Sequence, residues 1–244
     1  MQLAPALPPP RFLDAGEAAL VVEFGDTIDP AIHDRVMALD ATLAAARLPG
    51  MVELVPTYRS LMVHYDPLLL PRGELVAAIL ALETAAKRAV AHRLWTIPLC
   101  YDPEFGEDLG YIAKAVGLSE SRVVALHSGA IYRIYMYGFA PGFCYLGGHP
   151  PEITLPRRQA PRPPTPTNVV MTAAGMSIIT TISMPTGWWL LGRTPERMFS
   201  TARDRSFFAE VGDSVRFEAI DRASFDALEA RVARGELIAR AEPA

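Results

Sequence analysis

Apolar and polar positions along the chain follow one rhythm up to about residue 90 and another after it. Ala18 to Phe24 is a short apolar run closed by Gly25-Asp26, which predicts a strand and a turn. Asp29 then stands at an N-cap position with Pro30 behind it, and Ile32, Val36, Leu39 and Leu43 recur at helical spacing. That helix is expected to stop at Pro49-Gly50. Val52 and Leu54, then Leu61, Val63 and Tyr65, alternate as two strands about a turn near Pro56-Thr57-Tyr58-Arg59. A second helix is expected from Arg72 to about Val90, with Leu75, Ile79, Leu82 and Ala86 turned inward. Strand, helix, two strands and helix predict a small α+β domain over residues 1–92, with the helices on one sheet face.

From Leu94 the pattern is mostly strand-like. Leu94 to Tyr101 reads as a strand, and two short helices follow, Asp108 to Val116 and Glu120 to His127, the second led by Ser119 as a cap. Ile131 to Phe139 is apolar on both faces, as in a strand enclosed by a barrel or sandwich. Asn168 to Ser183 is rich in Val, Ile and Thr around Gly175, and Trp188 to Pro195 and Gly212 to Glu218 add further strand signals. A last helix carries Phe225, Leu228 and Val232 on one stripe. Many short strands with turn signals predict a β-barrel or sandwich, so residues 93–244 form the second expected domain and the fold class is α+β.

Composition narrows the function classes. The 244 residues carry a net charge of -4 and no basic run, which argues against a nucleic-acid surface. Lys87 and Lys114 are the two lysines, and neither follows a glycine loop and precedes Ser or Thr, so there is no Walker-type phosphate loop. Cys100 and Cys144 are too few for a disulfide framework and lack metal-ligand spacing, so no metal site is expected and a reducing, cytoplasmic setting is. No apolar run is long enough to span a bilayer, and the proline-rich start through Pro10 reads as a disordered lead-in.

Candidate chemistry gathers in one stretch. Tyr137-Gly138-Phe139-Ala140-Pro141-Gly142-Phe143-Cys144-Tyr145-Leu146-Gly147-Gly148 combines conformationally free glycines, a fixed proline and aromatics too apolar for an idle loop. Arg157, Arg158 and Arg162 follow in a proline-rich tract. A rigid aromatic bend beside guanidinium forks predicts a pocket for a planar or anionic group, whereas the bland alternatives are a buried crossover and a solvated polyproline strip. Trp188 and Trp189 should point to opposite faces of their strand, which places at least one in the core. Asp102, Glu104, Glu107 and Asp108 read as a solvated acidic loop at a helix start, and His33 and His64 as structural residues. Cys144 with His127 or His149 is a weak nucleophile arrangement, since no motif links them, and His127 is the acid/base candidate.

In Gly138-Phe139-Ala140-Pro141-Gly142-Phe143, Tyr145-Leu146-Gly147-Gly148, Pro156-Arg157-Arg158, Pro161-Arg162, Gly187-Trp188 and Gly192-Arg193-Thr194-Pro195, the chain resembles the allophanate hydrolase subunit 1 family, which includes the B-type subunit of bacterial 5-oxoprolinase. Glu23-Phe24-Gly25-Asp26, Val55 to Leu61 and Gly212 to Phe217 extend the likeness over nearly the whole chain. The resemblance implies a small α+β amino-terminal domain and a cyclophilin-like β-barrel. It also implies a homologous second subunit, of the allophanate hydrolase subunit 2 type or the C-type of 5-oxoprolinase, a small anionic amide or lactam substrate, and ATP used together with the partner. No cofactor is expected to be covalently bound, since there is no Met-Lys-Met biotin acceptor. By the same resemblance the substrate-binding residues would be Pro141, Gly142, Phe143, Tyr145, Arg157, Arg162, Trp188, Arg193 and Thr194. The family also holds inhibitors of a histidine kinase and halves of biotin-dependent carboxyltransferases, which are the alternative functions. Met176, Thr180 and Thr186 stand where relatives usually carry glutamine, tyrosine and glycine, and Cys144 where proline is common, which leaves the substrate open.

Overall fold

The computed structural model describes residues 9–85 and 92–243 of the chain, which divides into two compact units between residues 90 and 91. Of the lead-in expected through Pro10, residues 1–8 lie outside the described residues, as do Ala86 and the end expected for the second helix.

The first unit is a four-stranded antiparallel sheet in the order β1 (Arg11–Asp14), β2 (Ala19–Glu23), β4 (Ser60–Tyr65), β3 (Met51–Pro56). Two helices pack with it, α1 (Pro30–Ala46) and α2 (Arg72–Ala85). Asp29 starts α1 by accepting from the amides of Ala31 at 2.7 Å and Ile32 at 3.4 Å, which satisfies donors that a helix start otherwise leaves open. Alternation in β2 and β4 sends Leu20, Val22, Leu61 and Val63 into one core with Val36, Leu39, Leu43, Leu75 and Ile79. His33 is fully buried on α1.

The second unit runs β5 (Arg93–Cys100), α3 (Leu109–Val116), α4 (Glu120–Gly129), β6 (Tyr132–Tyr137), β7 (Cys144–Gly147), β8 (Val169–Ala173), β9 (Met176–Ile179), β10 (Trp189–Arg193), β11 (Ser214–Ile220), α5 (Arg222–Ala233) and β12 (Arg240–Pro243). Strands β10, β8, β9, β7, β6, β11 and β5 hydrogen-bond in that order, and β10 pairs again with β5 at Arg193 and Cys100. The sheet therefore closes on itself as a seven-stranded barrel, and β12 adds to the free side of β5 near its start. In sequence, an α+β unit thus precedes a cyclophilin-like barrel, the fold class expected.

Inside the barrel lie Ile97, Leu99, Tyr132, Ile134, Leu146, Val170, Ile179, Leu191 and Phe217. The opposite faces of β8, β9 and β10 are also apolar and buried, because Val169, Met171, Ala173, Ile178 and Leu190 pack beneath Phe143 and Trp188. Trp188 and Trp189 accordingly enter two different cores, one on each side of the sheet. That outer layer is what the aromatic bend covers. Both cysteines are buried thiols, and no helix among the described residues is long and apolar enough to cross a membrane.

Candidate functional site

Between β6 and β7 the chain reverses over Gly138 to Phe143. The Gly138 amide donates to the Phe143 carbonyl at 3.1 Å and the Phe143 amide to that of Ala140 at 3.0 Å, so the bend is tied internally. Thr181 fastens it from outside by donating its hydroxyl to the Pro141 carbonyl at 2.8 Å. Phe139 sits at φ 71° and is 71% exposed, a conformation that costs a bulky residue energy. The bend separates two cavities.

On one side is an aromatic cavity of about 280 Å³, lined by Phe139, Phe143, Tyr145, Arg157, Trp188 and the Met184 to Gly187 turn above Ile178. Phe143 packs edge-on to Phe139 at 5.3 Å between centroids and tilted against Tyr145 at 5.3 Å. Thr186 accepts the Trp188 amide at 3.2 Å and pairs its backbone with Arg162, so this threonine holds the indole wall in place. Arg157 lies over the Trp188 ring at 5.2 Å and has no carboxylate partner among the described residues. Burial raises the pKa of the Tyr145 hydroxyl against the opposing pull of Arg157, which keeps it a neutral donor. Met176 and Thr180 line neither cavity. Met176 packs on the outer apolar layer, and Thr180 bonds to the backbone of Val169.

On the other side is a cavity of about 400 Å³ whose wall includes Pro141, Thr167, Asn168, Arg193, Arg197 and Glu229. Arg193 donates through Nε to the Thr167 carbonyl at 3.2 Å and through Nη2 to Glu229 at 2.9 Å.

Three expected site residues fall elsewhere. Arg162 does not reach a cavity as a free cation: its Nη1 donates to Asp108 Oδ2 at 2.6 Å and its Nη2 to Glu107. Asp108 also accepts from Arg158 at 3.0 Å and from the Leu190 amide at 2.8 Å, so the arginine tract is neither a solvated strip nor a ligand cradle beyond Arg157. The acidic loop stands at the start of α3 as expected, with Glu104 and Glu107 exposed, and Asp108 is its one departure. Asp108 is a buried counter-ion because desolvated guanidinium groups need one nearby. Thr194 is buried, its hydroxyl accepting the Glu196 amide at 3.1 Å, and it lines neither cavity.

His127 is enclosed within the barrel unit and lines neither cavity. Its Nδ1 shares a hydrogen bond of 2.6 Å with the Tyr101 hydroxyl, its ring stacks on Phe217 at 5.0 Å, and His149 stands at 6.3 Å between centroids. Burial, then repulsion from His149, pushes the pKa of His127 down to about 3, so near neutral pH it is an uncharged and very weak base. Cys144 is likewise fully buried, and burial pushes its thiol pKa well up, away from the thiolate that a nucleophile requires. Among the described residues no group of three or more His, Cys, Asp or Glu is placed to hold a metal.

Sequence reasoning missed Thr167, Asn168, Arg197 and Glu229 on the second cavity, which come together from separate segments with no motif joining them. It also missed Asp108 as the hub of the arginine tract.

Residues 10–209 match the family described as the carboxyltransferase domain, subdomain C and D. The B-type subunit of 5-oxoprolinase from Bacillus subtilis (strain 168) is 35% identical over 225 residues, covering 87% of this chain and 93% of that protein. Its namesake from Escherichia coli O157:H7 is 34% identical over 206 residues, covering 83% and 92%. Among solved structures, TTHA0988 is 34% identical with a TM-score of 0.74, over 83% of this chain and 40% of its own, so this chain spans well under half of that protein. The urea carboxylase of Kluyveromyces lactis, at 16% identity and a TM-score of 0.79, shares the fold over 96% of this chain and 24% of its own.

Proposed function

Because the chain belongs to the carboxyltransferase domain, subdomain C and D, family, we propose that it is the B-type component of a heteromeric, ATP-dependent 5-oxoprolinase, acting with a homologous second subunit on a small lactam carboxylate. The observation that carries this reading is the aromatic cavity with its one free guanidinium. A five-membered lactam is planar enough to lie against Trp188 and Phe143, and its carboxylate would meet the Arg157 fork. Tyr145 supplies a neutral hydroxyl for the lactam carbonyl. ATP would be used jointly with the partner, where it would activate the lactam for opening; the residues here bind and orient that lactam and exclude water from one face of it.

The test is a calorimetric titration of the purified chain, alone and mixed with its homologous second subunit, with 5-oxoproline, alongside ATP turnover of the mixture. Arg157→Ala is expected to weaken binding roughly tenfold or more, since a charge-assisted hydrogen bond contributes about 1.5–3 kcal/mol. Unchanged affinity in Arg157→Ala, or ATP turnover in the mixture that is indifferent to 5-oxoproline, would refute the reading.

A further inference from the structure

The second cavity has a different lining. Arg158, Arg162, Arg203, Arg205 and Arg222 are all paired to carboxylates, but the Arg197 guanidinium on this wall has no partner among the described residues. Arg193 keeps Nη1 without a hydrogen bond among the described residues after its bonds to Thr167 and Glu229, and the Glu229 side chain is 43% exposed. Asn168 stands at φ 60°, outside the region most residues prefer, and its side-chain amide makes no hydrogen bond among the described residues. Its backbone is locked there by an amide bond to Thr180 at 3.0 Å and a carbonyl bond from Thr194 at 2.9 Å. The wall thus carries two guanidinium groups, one carboxylate and the side-chain amide of Asn168.

We infer that this cavity is a binding site for a tetrahedral oxyanion, a phosphoryl group, with Arg197 and Arg193 as the charged donors and Asn168 as the neutral one. Two guanidinium groups and an amide supply more donors than a carboxylate has oxygens to accept, whereas a phosphoryl group presents three acceptor oxygens and up to two negative charges. With Glu229 displaced, its charge is matched by the two cations. The site is separate from the aromatic cavity and stands without the lactam reading, but the bend lies between the two, with Pro141 on this cavity and Phe143 on the aromatic one.

Inorganic phosphate titrated calorimetrically into the full chain tests it, with acetate as the carboxylate control. Arg197→Ala and Asn168→Gly are each expected to weaken phosphate binding, Arg197→Ala about tenfold or more, while Arg157→Ala leaves it unchanged. Asn168→Gly matters most, because glycine adopts the same positive φ, so with an unchanged urea midpoint its loss of affinity reads the missing side-chain amide. Competition by ATP at the same residues would assign the phosphoryl group to a nucleotide, and no competition would assign it to free phosphate. Phosphate affinity unaffected by Arg197→Ala and Asn168→Gly, no detectable phosphate binding, or acetate binding as well as phosphate, would each overturn the inference. Loss of phosphate binding in Arg157→Ala, with Arg197→Ala unaffected, would move the anion to the aromatic cavity and overturn it too.

Discussion

Asp108 decides what the arginines of this molecule can do. Its two oxygens take Arg158, Arg162 and the Leu190 amide, with only 11% of its side chain exposed. Removing its charge leaves Arg158, exposed by 29%, without its counter-ion, and Arg162, exposed by 10%, with Glu107 alone. Breaking a buried pair by deleting one partner costs about 3–5 kcal/mol, and the solvent reaching Arg158 places Asp108→Asn near the lower end of that range. Urea unfolding of Asp108→Asn should show a loss near 3 kcal/mol, against less than about 1 kcal/mol for Glu107→Gln, whose carboxylate is half-exposed. Equal effects of the two would mean that Asp108 is not the hub. Arg157 and Trp188 were legible because a short run of aromatics, glycines and arginines already says pocket. The pairing of Arg162 was not, since its partner lies 54 positions earlier and no spacing rule joins them.

At the scale of the element, the bend from Gly138 to Phe143 is the feature most at risk from substitution. Gly142 sits at φ 73°, and a Cβ there would lie 2.5 Å from Phe199 Cβ and 3.0 Å from the Phe199 amide nitrogen. Gly175 shares the positive φ, at 78°, but a Cβ there meets nothing within 4 Å. The two glycines separate conformational cost from steric cost. Gly175→Ala should lose about 1–2 kcal/mol, the ordinary left-handed penalty, and Gly142→Ala distinctly more. Because the Gly142 bend walls both cavities, Gly142→Ala should also weaken 5-oxoproline and phosphate binding together, as read by the same titrations. Equal losses at the two glycines would show that the bend gives way freely. Elements with apolar periodicity, α1, β4, β8 and β9 among them, were readable in advance. β1 and β12 were not: Arg11–Asp14 is mostly exposed and Arg240–Pro243 carries no alternation. The two residues leading into β12 are held by a buried carboxylate, with Glu196 accepting the amides of Ile238 and Ala239 at 2.8 Å each.

At the scale of the whole molecule, closure of the barrel joins residues that no local pattern connects, such as Leu94 with Ser214 in the parallel pairing of β5 and β11. That closure seals His127 and His149 beneath Tyr132, Phe217, Thr172 and Ser177, and it leaves His127 Nε2 without a partner among the described residues. Burial pushes His149 down to about 4, while its hydrogen bond to the Ile153 carbonyl pulls the other way, and His127 falls to about 3. In the unfolded chain both rings return to about 6.5. Between these values the unfolded state binds protons that the folded state refuses, so stability is full above about pH 6.5 and declines as the pH falls toward 4 and then 3. Each proton contributes a slope of about 1.4 kcal/mol per pH unit, and the two together approach about 2.7. Urea unfolding from pH 7.5 to pH 5, above the range where most carboxylates titrate, should therefore show a steep loss that His127→Gln reduces to roughly half. A flat profile across that interval, or an undiminished slope in His127→Gln, would mean that the sealed pair is protonated in the fold and that the barrel interior admits charge.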